Sequence, residues 1–386
     1  MRSSVAFSSL VALATALKDS DPGPTCKEVV IPVKQENRGY TFVDGPERDN
    51  ETQIVEFVRQ MSEGAVFSWN DTVLVNTTFH IPATYCLPSD GVKDRNALQI
   101  IVHGLTYNKT MWQGFGYDGE KYNWHQHANA HGYATLAIDL PGHGHSREED
   151  PFTAIQPQIA MDIILQINSG AHGGPYTDIS DILGREYLYT IFVDGAYLGA
   201  AIHTDDYDFH CKILTGFSED YNISRFLQAT WGSASEVDAN RFRGAPDGYL
   251  VQKNQKERIS SFYAGDYNAG LALVDWVRRD TIALGEVATL PWIPTYGSYS
   301  GGVFLIAGEN DSIACKPIDE GGCTKSLPQT ANLTFSKTRA VNWAIPSNTG
   351  HSWSLHNSAG LVLEQVHIWI DAYLDSIWPP PPPAEV

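Results

Sequence analysis

Cations are scarce in this sequence: 26 Lys and Arg stand against 45 Asp and Glu, a formal charge of −19 at pH 7. A surface of that sign repels phosphate backbones and anionic lipid, so nucleic acid is not expected as a partner. Cysteine is scarce too. The five cysteines form no C-x2-C pair and have no histidine cluster beside them, so no metal site is expected. Beyond the amino terminus no run reaches the roughly 18 apolar residues that span a bilayer, and no internal repeat is present. What the chain does have is 42% hydrophobic and 11% aromatic residues, which supports a core and argues against wholesale disorder. Its 386 residues allow two or three domains, or one large α/β core with an insertion.

At the amino terminus Arg2 precedes an apolar or small stretch from Val5 to Leu17, and Ala14-Thr15-Ala16 supplies an A-x-A cleavage pattern. Residues 1–16 therefore read as a signal peptide. Seven N-x-[ST] sequons, at Asn50, Asn70, Asn76, Asn108, Asn222, Asn310 and Asn332, point the same way, toward a glycosylated protein that is secreted or held in the secretory lumen. In that compartment disulfides form. Cys315 and Cys323 close a short Gly-rich loop and are the simplest pair; Cys26 with Cys86 is the next, each beside a β-rich segment, which leaves Cys211 as a buried thiol.

Residues 26–100 carry β-type alternation. From about residue 98 the pattern becomes short apolar runs followed by helical segments: Leu98–Val102, Ala134–Asp139, Tyr187–Val193, Lys212–Thr215 and Val303–Ala307. Such runs are those of a mostly parallel sheet covered on both faces. Between 217 and 296 the strand pattern gives way to polar, helix-compatible sequence that reads as a helical lid inserted into the core, which occupies 17–216 and 297–378. Its aromatic residues suit a small hydrophobic or aromatic ligand in the cleft between lid and sheet. Residues 379–386 begin with five prolines and read as a polyproline-like tail. His125, His127 and His131 have helical spacing and read as a solvated helix face, while His143 and His145 read as turn residues.

Residues of catalytic type follow the runs. His103-Gly104 ends the first, Asp139 through Ser146 follows the second, Gly308-Glu309-Asn310-Asp311 follows the last, and Gly350-His351-Ser352 opens the final helical segment. With Ile213 to Ser218 and Asp280-Thr281 through Gly285-Glu286, these motifs resemble the fungal secreted α/β-hydrolase family across residues 26 to 377. The resemblance implies an α/β-hydrolase fold with no cofactor. It also implies His351 as base, Asp311 as its orienting acid, and backbone N–H groups at Leu105 and Leu198 as oxyanion donors, with His103 beside that turn as a brace or a substrate contact.

The family's Gly-x-Ser-x-Gly elbow is altered. In Val193-Asp194-Gly195-Ala196-Tyr197-Leu198-Gly199-Ala200, the register with glycine at both flanks puts Tyr197 at the centre. Asp194 is a substitute nucleophile only if Phe192 fills a glycine site, which it cannot. A base, its orienter and oxyanion donors beside a phenol describe an acid–base pocket, with Tyr197 as acid, base or plug. Three functions are consistent with that. One is an isomerase, cyclase or lyase acting on a small hydrophobic natural product in a biosynthetic pathway. The others are a hydrolase in which His351 activates water directly, and a small-molecule binding protein without catalysis.

Overall fold

A computed structural model of the chain describes residues 26–65, 67–92, 95–119, 121–146, 149–174, 179–195, 198, 209–293 and 299–377. The expected signal peptide, the proline-rich tail and Tyr197 lie outside the described residues.

The apolar runs form the sheet. β3 (Ala97–Val102), β4 (Ala134–Ile138), β6 (Cys211–Thr215) and β10 (Gly302–Ile306) are buried at every position, and β5 (Tyr189–Asp194) at every position but its first. Side chains point alternately to the two faces of a strand, so uniform burial requires that both faces be covered. Each fully buried Val, Leu or Ile contributes about 1.5–3 kcal/mol. β1 (Cys26–Phe42), β2 (Trp69–Cys86) and β11 (Ala340–Ala344) complete eight strands in the order β1-β2-β4-β3-β5-β6-β10-β11. β2 runs antiparallel to both neighbours and every other pairing is parallel. On one face pack the helices Trp124–Ala130 and Ala359–Ile377; on the other lies Pro157–Ala171.

Cys26 and Cys86 face each other in the β1/β2 register and are joined by a disulfide. Cys315 and Cys323 form a second, and Cys211 is a buried free thiol.

The segment 217–296 differs from the helical expectation. Its described residues hold five α-helices and a 3-10 helix, but also an antiparallel sheet of β7 (Trp231–Ser233), β8 (Tyr249–Gln252) and β9 (Ile282–Ala283). Strands of two to four residues are too short for a period of two to emerge from the sequence. Nor does this cap stand alone. The helix Glu51–Ser62, between β1 and β2, ties into it: Ser233 N–H donates to Glu51 Oε1 at 2.9 Å, and Ser224 Oγ donates to the Met61 carbonyl at 3.0 Å. The histidine face also differs. His125 is buried against Thr135 Oγ1 at 2.7 Å, and His131 pairs with Asp371 at 2.7 Å on the last helix.

Candidate active site

The turns at the ends of the parallel strands converge because two glycines permit it. A Cβ on Gly104, after β3, would lie 2.4 Å from the Gly195 carbonyl oxygen, and one on Gly195, after β5, 2.7 Å from the Gly104 nitrogen. Only residues without Cβ allow this approach, which brings the Gly104–Leu105 turn against the end of β5. The Leu105 N–H has no partner among the described residues. Leu105 and the buried Leu198 line one chamber together. The next residue, Thr106, has φ of 64°, a costly conformation for a β-branched side chain. It is held by Arg258, which donates to its Oγ1 at 3.0 Å, and by Asp280 N–H, which donates to its carbonyl at 2.7 Å.

Asp311 follows β10 and is 2% exposed; its Oδ1 accepts from the Ile313 and Ala314 backbone N–H groups, each at 2.9 Å. Clamped there, the carboxylate meets His351 Nδ1 at 3.0 and 2.9 Å. The pair fixes the imidazole so that Nδ1 carries a proton toward the acid, and Nε2 has no partner among the described residues. The ring lines a chamber with Gly104, Leu105, Tyr107, Gly195 and Phe262. Gly216, after β6 with φ of 63°, makes room for it: a Cβ would stand 2.7 Å from His351 Cε1. Gly216→Ala is therefore expected to push the ring off Asp311. The check is the downfield proton resonance of Nδ1–H, which should disappear together with about 10–100-fold of any His351-dependent rate; an unchanged resonance would count against this packing.

Both ring nitrogens of His103 are engaged, which fits a brace. Its Nδ1 donates to the Gly104 carbonyl at 2.9 Å and its Nε2 accepts from Leu140 N–H at 3.1 Å, so neither nitrogen is left over. Complete burial, with His143 beside it, pushes its pKa down to about 3, and a neutral ring braces the turn. Asp194, the other nucleophile weighed, is fully buried at the end of β5 and lines neither chamber.

Several residues were missed in the sequence. Tyr107 lines the His351 chamber, with its hydroxyl 2.8 Å from Ser352 Oγ and donating to Asp275 at 3.3 Å; burial pushes its pKa up, so it stays a neutral phenol. Arg258 and Asp275 form an ion pair of zero exposure behind it. His143, read as a turn residue, is buried against Glu286 at 3.0 Å. No signal separates these pairs from ordinary cap and turn residues, because the partners lie 17 to 245 positions apart. Among the described residues no group of three ligating side chains is placed to hold a metal.

No protein-family model and no curated protein sequence matches the chain. Among solved structures it is similar to a thermophilic esterase from Thermogutta terrifontis, at 14% identity and a TM-score of 0.48 over 76% of this chain and 94% of that one. It is similar also to an esterase from Exiguobacterium antarcticum, at 12% and 0.46 over 77% and 96%. A third is the peroxisomal α/β-hydrolase Lpx1 of Saccharomyces cerevisiae, at 11% and 0.43 over 92% of each chain. Likenesses this distant carry no argument about what the chain does. The eight-stranded order with its single reversed strand, and the acid and histidine following the last two strands, carry the conclusion: the chain adopts the α/β-hydrolase fold.

Proposed function

We propose that the chain is a non-hydrolytic enzyme on this fold, an isomerase, cyclase or lyase that moves a proton on a small hydrophobic natural product. One observation carries the reading. A clamped His351–Asp311 pair lines a chamber of mixed polar and apolar walls, while the elbow sequence has Tyr197 where a hydrolase has its nucleophile. His351 Nε2 takes a proton from carbon next to a carbonyl, Asp311 stabilises the imidazolium, and the enolate oxygen is held by the Leu105 and Leu198 N–H groups. Return of the proton to another atom of the same molecule balances an isomerisation. Tyr197 is the phenol proposed to donate a hydrogen bond to that oxygen, since the Tyr107 hydroxyl proton is taken by Asp275.

The native chain is expected to resist labelling by a fluorophosphonate and to show no burst on an ester panel, whereas Tyr197→Ser is expected to label through the new serine. A native chain that labels on a serine would restore nucleophilic catalysis and sink the proposal. Slow burst-free ester turnover that depends on His351 would favour water activated directly by the imidazole, and a bound metabolite recovered unchanged would favour a binding protein.

The route is proposed to be secretory. Asn70, Asn76 and Asn332 are exposed, whereas Asn108 Nδ2, the atom a glycan needs, donates to Asp280 at 2.8 Å. Peptide mapping after enzymatic deglycosylation in H2(18)O is expected to find sugar at those three and none at Asn108; occupancy at Asn108 would contradict the geometry.

A further inference from the structure

The loop that carries the acid is held from behind. Two of its peptide units, Ser312–Ile313 and Ile313–Ala314, present the N–H groups that clamp Asp311, each donating to Oδ1 at 2.9 Å. A trans peptide unit is planar with its N–H and C=O pointing opposite ways, so fixing the oxygen aims the hydrogen. Both oxygens are taken by the segment that opens the cap. The Ser312 carbonyl accepts from Arg225 Nη1 at 3.0 Å, and the Ile313 carbonyl accepts from the Asn222 N–H at 3.1 Å. The next two carbonyls are engaged from the same segment, Ala314 by the Ser218 hydroxyl and Cys315 by Arg225 Nη1 at 2.6 Å. A loop outside helix or sheet has no ladder of its own to occupy these groups, so the partners brought to it set its shape.

Arg225 stands out in this set. Carboxylates outnumber Lys and Arg by 45 to 26, yet among the described residues Arg225 bonds two backbone oxygens and no acid. A guanidinium donating to a carbonyl makes a charge-assisted bond, roughly twice as strong as a neutral one. It also polarises the peptide unit it grips, which strengthens the bond that the same unit's N–H makes to Asp311. The short helix that carries it, Ile223–Leu227, carries Phe226 as well, and Phe226 lines the His351 chamber together with Tyr221. At the far end of the loop the Cys315–Cys323 disulfide closes the turn, with Cys323 Sγ 3.9 Å from the Asp311 carbonyl oxygen.

We propose that Arg225 is a positioning residue for the His351–Asp311 pair, acting through the Ser312–Ile313 peptide unit to hold the Asp311 carboxylate against His351 Nδ1. The inference deepens the proposed function and rests on the role given there to His351. It gives the start of the cap two duties, since residues 218–226 form chamber wall on one side and the backing of the acid on the other.

The test reads the pair itself and not turnover. In full-length protein the His351 Nδ1 proton is followed by NMR for its downfield position and its rate of exchange with water, and the urea midpoint is measured on the same samples. Arg225→Met keeps an unbranched stem and removes the donors. It is expected to move the resonance upfield and to speed exchange at least about tenfold, the effect of losing a hydrogen bond of the charge-assisted kind, with the midpoint near native. Arg225→Lys keeps the charge but not the planar fork, so its resonance and exchange rate are expected between those of the native chain and Arg225→Met. A native resonance and exchange rate in Arg225→Met would overturn the assignment. A shift that merely follows a fall in the urea midpoint overturns it too, because general loosening of the fold produces the same change. Should Arg225→Met fail to fold, Arg225→Lys decides alone, and native values in that variant overturn the assignment. A native chain that enolises nothing leaves the resonance and its dependence on Arg225 readable, whereas native values in the variants of an active chain remove Arg225 and leave the His351 reading intact.

Discussion

Replacing His351 with alanine is expected to slow deuterium exchange at the acidic carbon of an aromatic ketone such as 2-tetralone by about 10²–10⁴-fold, the usual contribution of a positioned general base. The probe asks only whether the chamber enolises a carbonyl compound, so it needs no knowledge of the natural substrate. The expectation rests on a short chain of contacts: two backbone N–H groups clamp Asp311, Asp311 holds His351 Nδ1 at 2.9 Å, and Nε2 is left for the substrate. Asp311→Asn is expected to lose nearly as much, since an amide favours the wrong tautomer. Added imidazole should partly restore exchange to His351→Ala if the ring acts chemically. Exchange at the native rate in His351→Ala would sink the acid–base role, and absence of exchange in the native chain would remove the enolising step.

The second large effect belongs to stability. Arg258 and Asp275 are completely buried, with guanidinium nitrogens donating to Asp275 Oδ1 at 2.6 and 3.2 Å. Arg258 also donates to Gln252 at 2.7 Å and to Thr106 at 3.0 Å, and its plane lies over Tyr107 and Phe262. Breaking such a pair by removing one partner leaves the other charge buried without compensation, which costs about 3–5 kcal/mol. Arg258→Met or Asp275→Asn should therefore lower the urea midpoint by an amount of that order. It should also loosen Thr106, and with it the Leu105 turn, so exchange of 2-tetralone should fall in protein that remains folded. Arg258→Met combined with Asp275→Leu is expected to recover most of the stability, because two apolar side chains need no partner. Single variants within about 0.5 kcal/mol of native would show that the pair is better solvated than its burial implies.

The sheet was legible because its signal is local. A five- or six-residue run such as Leu98–Val102 or Val303–Ala307 carries its burial on its own side chains, and the polar residues that follow it mark where the strand stops. Asp311 stands just past the run Val303–Ala307, whereas His351 was picked out by family resemblance, and the structure brings the two to 2.9 Å. The cap was read less well. Strands of two to four residues register no period, and the helix Glu51–Ser62 joins the cap from more than 160 residues away. Asn108 looked like any other sequon until Asp280 was found against its amide.

By itself the sequence determined which apolar runs become the parallel strands and that a tyrosine stands at position 197. Both follow from neighbours along the chain. The tertiary structure decided which polar groups are spent and which are free. His103, read as a brace or a substrate contact, is consumed by two backbone groups, while His143, read as turn chemistry, is buried against Glu286. A side chain's residue type sets what it is able to bond, but burial and the partners brought to it from 143 or 37 positions away set what it has left to offer a ligand.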